Sequence, residues 1–120
     1  MELDLAVKRL SALAQGGRLA VFRLLVNAGP EGLAAGEIAR ALTIPANTLS
    51  AQLTILANAG LAGSHRAGRS IIYTANYDGM TELLAYLVED CCRGRPELCA
   101  SLADLVGRAQ SCTAPTTSCG

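Results

Sequence analysis

Between Ala34 and Asn58 two short segments of helical periodicity are separated by only a few residues, and this close pairing leaves the chain few architectures to choose from. Ile38, Ala39 and Leu42 fall on one side of a helix spanning residues 34–42. Thr43-Ile44 interrupts, and Pro45 is suited to be the first residue of a new helix, where its missing N–H costs nothing. That second helix runs to Asn58 with Leu49, Leu53 and Leu56 as its apolar face, and Ala59-Gly60 closes it. Two helices joined by a tight turn are a helix-turn-helix. Residues 61–66 and 69–75 follow, the second rich in β-branched and aromatic side chains, with Ala67-Gly68 between them, and read as a β-hairpin. A helix-turn-helix followed at once by a hairpin is the order of a winged helix, with the hairpin as the wing.

The flanking segments are helical as well. Leu3, Val7, Leu10 and Ala14 recur at spacings of three and four, and Gly16-Gly17 should end that first helix. A second runs from Arg18 to Val26 through Leu19, Phe22 and Leu25, and stops at Asn27-Ala28-Gly29-Pro30. The helical period returns after Asp78 through Met80, Leu83, Leu84, Leu87 and Cys91, until Gly94 and Pro96 break it, and a further short helix is expected over residues 97–108. With Tyr 3, Phe 1 and Trp 0 in 120 residues, the core must be built from aliphatic side chains, which suits packed helices. The expected fold is therefore mostly α with a small β-hairpin. Residues 1–110 are expected to make one winged-helix and dimerisation domain, and 111–120 to be a flexible tail. No apolar run approaches the roughly 20 residues of a membrane span, and Met-Glu-Leu-Asp is not a secretory start, so a cytoplasmic protein without membrane contact is expected.

Acidic and basic side chains cancel at ten each, so their distribution is what informs. From Ile38 to Tyr77 there is no carboxylate, while Arg40, His65, Arg66 and Arg69 lie inside that stretch. A surface that faces phosphate benefits from such a gap. Asn47, Thr48, Ser50, Ala51 and Gln52 occupy the first turns of the second helix of the pair, the part that meets base edges in the major groove. Amide side chains pair with adenine, hydroxyls with bases or phosphates, and Ala packs on a thymine methyl. Asn47, Thr48, Ala51 and Gln52 should face outward once Leu49 and Leu53 turn inward. Arg66 and Arg69 flank the hairpin tip, within reach of phosphates or the minor groove. His65 reads as a wing surface residue; Tyr73 and Tyr77 read as packing residues.

All five cysteines, Cys91, Cys92, Cys99, Cys112 and Cys119, lie near the C-terminus. In a cytosolic chain they stay reduced, which favours metal or redox chemistry over structural disulfides. Adjacent helical residues point about 100° apart, so Cys91 and Cys92 converge on one atom only where the helix frays, and Gly94 and Pro96 supply that fraying. The same break lets the chain double back to bring Cys99 as a third thiolate. Three soft sulfurs without histidine suit trivalent arsenic or antimony, which prefer a three-sulfur pyramid. Zinc normally seeks a fourth ligand, and residues 78–92 contain no His. Arg93 and Arg95 favour the thiolate forms. Cys112 and Cys119 are expected to be dispensable.

Leu13-Ala14-Gln15-Gly16-Gly17-Arg18-Leu19, and Ser50-Ala51-Gln52-Leu53 with Leu56 and Ala59-Gly60-Leu61, together resemble the ArsR/SmtB family of metal-responsive repressors, over roughly residues 3–92. Gln52 stands where the family often has His, and Gly16-Gly17 where Asp-Pro is usual. The resemblance implies a homodimer built from the first helix and the helix after Asp78, with Leu3, Leu10, Leu83 and Leu87 as apolar area to cover, and an inverted-repeat double-stranded operator to match its two-fold axis. Glu89-Asp90-Cys91-Cys92-Arg93-Gly94-Arg95-Pro96-Glu97-Leu98-Cys99 resembles the arsenite-sensing subgroup with cysteines at the end of the dimer helix. The family's other arsenic motif, Cys-x-Cys at the start of the helix-turn-helix, is replaced by Leu33-Ala34-Ala35-Gly36-Glu37. The expected function is an operator-binding repressor released by arsenite, methylarsenite or antimonite on Cys91, Cys92 and Cys99. The alternative is a redox or persulfide sensor of the same fold, pairing Cys91 or Cys92 with Cys99. A thiol metallochaperone would leave the helix-turn-helix unexplained. A phosphatase-like arsenate reductase would need Cys-x5-Arg, which no cysteine here provides, and an enzyme is not expected.

Overall fold

The computed structural model describes residues 1–88. The chain divides into two compact units, Met1–Leu84 and Ala85–Gly120, and the elements around the candidate site belong to the first. In order they are α1 (Leu3–Leu13), α2 (Gly16–Ala28), β1 (Leu33–Ala34), α3 (Ala35–Leu42), α4 (Ala46–Asn58), β2 (Ala62–Ala67), β3 (Ser70–Ala75) and α5 (Tyr77–Val88). The strands form one antiparallel sheet in the order β1-β3-β2. The mostly helical winged fold read from sequence is what the chain adopts, enlarged by one short strand.

The core is aliphatic. Val21, Phe22 and Leu25 of α2 meet Ile38 of α3 and Leu49, Leu53 and Leu56 of α4, and Leu61, Ala62 and Ala75 close it from the root of the wing. Tyr77 ties the start of α5 to the end of α2: its hydroxyl donates to the Val26 carbonyl at 3.0 Å. Burial, with the nearby Glu31 carboxylate, raises the phenol's pKa, against a smaller opposing pull from the Gly29 backbone. The hydroxyl therefore keeps its proton and its role as donor at neutral pH.

Several boundaries differ from the sequence reading, each for a local reason. Gly16-Gly17 do not end α1, which stops at Leu13; they open α2, whose first turn is capped by the Gln15 side chain accepting from the Arg18 N–H at 2.8 Å. Pro45 is the N-cap of α4 rather than its first turn. The hairpin register pairs Ala67 with Ser70, so the two-residue turn is Gly68-Arg69, not Ala67-Gly68. Gly68 takes φ 65° at the first turn position, while Arg69 keeps a negative φ, the pattern of a type II′ turn matched to strand twist. On α5, Leu83 is buried and Leu84 is exposed, reversing the expectation that Leu83 would need covering. On α2, Val21 is buried and Leu19 exposed.

The junction of α4, the wing and α5 is backbone packed on backbone. Gly60 leaves α4 at φ 79°, which a side chain rarely tolerates. A Cβ on Gly79, in the first turn of α5, would collide with the Gly60 carbonyl oxygen. Asn76 bridges the two: its Nδ2 donates to the Gly60 carbonyl at 2.8 Å and its Oδ1 accepts from the Gly79 N–H at 3.1 Å, capping α5. The C-terminal end of α4 is thereby fixed against α5.

Candidate nucleic-acid interface

α3 and α4 are held at their angle by the turn between them. Thr43 adopts φ 54°, the only left-handed non-glycine among the described residues, and the Ile44 N–H reaches back to the Ala39 carbonyl at 3.1 Å. That is a Schellman-type end to α3, and it aims the next residues directly into α4. At the other end of α3, Glu37 accepts from the Ala34 N–H at 2.9 Å and satisfies a donor in the first turn.

Leu49, Leu53 and Leu56 root α4 in the core, which leaves Asn47, Thr48, Ser50 and Ala51 exposed together on its N-terminal turns. Asn47 Oδ1 accepts from the Thr48 N–H at 3.0 Å, which leaves its amide NH2 with two donors that have no partner among the described residues. The Ser50 hydroxyl is exposed, while its carbonyl accepts from Thr54 Oγ1 at 2.9 Å. These four residues make a short polar and methyl-bearing surface with no carboxylate.

Gln52 does not belong to that surface. It is 9% exposed, and its amide lies against Gly17, where a Cβ would overlap Gln52 Nε2. The missing side chain at Gly17 opens the space that Gln52 fills, so the residue turns toward α2 instead of outward. Its Oε1 is buried without a hydrogen-bond partner among the described residues.

Arg66 and Arg69 are exposed on the wing, Arg66 near the end of β2 opposite Ile71 and Arg69 in the turn itself. His65, one residue back, is exposed on the opposite face of β2. Arg40, in the last turn of α3, is exposed as well. Cys91, Cys92 and Cys99, with Cys112 and Cys119, lie outside the described residues. Among the described residues no cluster of His, Cys, Asp or Glu is arranged to hold a metal ion, and no helix is long and apolar enough to cross a membrane.

Sequence reasoning passed over the buried group behind α4. Arg9, in the middle of α1, is 6% exposed and donates from Nε to the Ala59 carbonyl at 2.8 Å and from Nη1 to the Gly79 carbonyl at 2.9 Å. Its Nη1 also meets Glu82 Oε1 at 3.2 Å. The available signal was faint: an arginine spaced three residues from Ala6 and Ala12, both small enough to let α1 approach its neighbours.

A short strand, a helix-turn-helix and a hairpin that pairs back onto that strand, in this order, define a winged helix-turn-helix domain, the architecture of a transcription regulator. Residues 13–62 match a family model described as a helix-turn-helix domain. No curated protein matches the sequence. Among solved structures, an ArsR-like transcriptional regulator from Rhodococcus sp. RHA1 shares the fold at TM-score 0.65 and 20% identity, with 85% of this chain and 92% of that chain covered. A homodimeric winged helix-turn-helix DNA-binding domain from Mycobacterium bovis, described as a possible ArsR-family transcriptional regulator, superposes at TM-score 0.60 with 28% identity over 76% of this chain and 82% of that one. A crystal structure of a possible transcriptional regulatory protein from the same organism gives TM-score 0.58 and 31% identity, covering 73% of this chain and 94% of its own. The chain belongs to the ArsR-like family of winged-helix transcriptional regulators.

Proposed function

We propose that this regulator is a homodimeric repressor that binds an inverted-repeat operator and lets go when trivalent arsenic or antimony is captured by Cys91, Cys92 and Cys99. The observation that carries the DNA half is the exposed, carboxylate-free face of Asn47, Thr48, Ser50 and Ala51 on a helix rooted in the core, with the Arg66 and Arg69 wing beyond it. Rigid placement of short polar side chains on a helix is what base-edge readout requires. Arginines on a hairpin turn add phosphate or minor-groove contacts.

Dimerisation is supported by apolar area with no use in a monomer. Leu3, Val7 and Leu10 of α1 are 64%, 52% and 40% exposed, and Leu84 of α5 is 48% exposed. Their burial against a second copy is favourable at roughly 25 cal/mol per Å², and the relative from Mycobacterium bovis is described as a homodimer. Two symmetric reading heads match a palindromic operator.

The inducer half rests on donor chemistry. Three thiolates and no histidine form a set that soft, three-coordinate arsenic or antimony accepts and that leaves zinc short of a ligand. The chain's one histidine, His65, sits on β2 in the wing. Allosteric coupling between two sites is typically about 1–3 kcal/mol, so inducer should weaken DNA binding by roughly 5- to 150-fold.

A gel-shift titration on a duplex selected by the protein from a random pool tests this directly. Arsenite should dissolve the complex, and Cys91→Ser or Cys92→Ser should abolish that release while leaving DNA binding intact. Release by polysulfide or peroxide but not by arsenite would move the reading to a redox or persulfide sensor. The wing makes its own prediction: Arg66→Ala and Arg69→Ala, each removing one contact from both protomers, should each lower the slope of log K against log salt by about 2, with little change in sequence preference. Binding isotherms across a salt series measure it, and an unchanged slope removes the wing from the interface.

A further inference from the structure

The proposed dimer stripe and the proposed reading helix meet at one buried side chain. Leu3, Val7 and Leu10 occupy one side of α1, and Ala6, Arg9 and Ala12 another, roughly 120° around the axis. Arg9 thus points from the back of the exposed stripe into the junction of α4 and α5. Its Nε donates to the carbonyl of Ala59, the C-cap residue of α4, where helix carbonyls lack intrahelical partners and the macrodipole is negative. Its Nη1 donates to the Gly79 carbonyl in the first turn of α5 and to Glu82 one turn further on. A Cβ on Gly60 would come within 2.8 Å of Arg9 Nη2, so the glycine also leaves room for the guanidinium.

We propose that Arg9 is a positioning residue for DNA recognition: its guanidinium fixes the C-terminal end of α4 to α1 and α5, and so sets the orientation of the reading helix relative to the dimer helices. This rests on the DNA-binding reading above. A planar, forked cation is needed for the task, because three acceptors on two helices lie in different directions from one point. Lysine carries the same charge on a single nitrogen and cannot reproduce that geometry. The protein that loses only this lock keeps its wing arginines and its charge. It should therefore keep non-specific affinity, which depends on phosphate attraction and not on the spacing of two heads. What it should lose is the advantage of the operator, which needs both reading helices in register at once.

The test compares the unaltered protein with Arg9→Lys and Glu82→Gln in the full chain, after circular dichroism and sedimentation have shown each variant to be a folded dimer at the temperature used. Two duplexes serve as probes: one enriched by the unaltered protein from a random pool, and one of mixed sequence. Arg9→Lys should reduce the ratio of selected to mixed-sequence affinity by about tenfold or more, inside the usual range of coupling between sites. Glu82→Gln, whose carboxylate is 60% exposed, keeps both carbonyl contacts and should lower the ratio by less. Amide hydrogen exchange gives a second readout free of DNA: the last turn of α4 should exchange about tenfold faster in Arg9→Lys, as expected when a local anchor is lost. An unchanged affinity ratio in a folded dimeric Arg9→Lys overturns the proposal, and so does unchanged exchange at that turn. If the unaltered protein enriches no duplex at all, the DNA-binding reading is what fails, and the exchange measurement still decides whether Arg9 anchors α4.

Discussion

Substituting Val7→Glu and Leu10→Glu together should turn the protein into a folded monomer whose affinity for its selected duplex is about 10²- to 10⁴-fold weaker, the factor that joining two binding modules typically supplies. Both side chains are already solvent-facing in the single chain, at 52% and 40%, so little native packing is lost when they change. Glutamate is a good helix former, so α1 itself should survive. Across a two-fold axis the substitutions act on four side chains, each worth about 1.5–3 kcal/mol when fully buried. They also put carboxylates into an apolar contact, where an unpaired charge costs several kcal/mol more. Sedimentation velocity reports the mass, a thermal melt reports the fold, and anisotropy reports the duplex. Persistence of the dimer at micromolar concentration would place the interface elsewhere and leave the α1 stripe unexplained.

The same helix shows how far sequence alone reached. Its amphipathic spacing was legible, and Leu3 and Leu10 are exposed as expected, while the side that packs on the rest of the monomer carries Ala6, Arg9 and Ala12. Periodicity identifies a face and does not say what covers it. Leu49, Leu53 and Leu56 were read correctly because three leucines at helical spacing have only one inner side, and the hairpin because β-branched residues around a glycine turn leave little choice. Gln52 went astray because its partner, Gly17, acts by lacking a side chain, and an absence has no pattern along the chain. Leu83 is buried against expectation, because two adjacent leucines satisfy a helical period almost equally well and spacing does not say which one turns inward. Arg9 stayed hidden for a different reason: two of its three acceptors are backbone carbonyls, which every residue has. The two residues of β1 were too few to register as a strand at all.

A single methyl group next to that short strand should have a large effect on stability. Gly32 precedes β1 at φ 70° and closes a tight turn by donating its N–H to the Gly29 carbonyl at 3.1 Å. A Cβ there would overlap the Tyr73 carbonyl oxygen and come within 2.8 Å of Ile72 Cγ2 and 2.7 Å of Thr74 Cγ2. The carbonyl belongs to β3, which is held by β2 on its other side, so it cannot give way without opening the wing. Gly32→Ala therefore adds about 1–2 kcal/mol of left-handed strain to the loss of β1 pairing, at about 1 kcal/mol for each hydrogen bond broken. The sum, about 3 kcal/mol or more, is a large part of the 5–15 kcal/mol that holds a domain of this kind together. A melting temperature lowered by more than about 10 °C is expected at this size. Gly16→Ala is the matching control, because nothing lies within 4 Å of its Cβ position and its φ is not positive. There the loss of unfolded-state freedom should leave stability unchanged or raise it by up to about 1 kcal/mol. Equal melting curves for the two variants would mean that β1 does not anchor the wing to the helix-turn-helix, since the clash at Gly32 would then be relieved at no cost to the sheet.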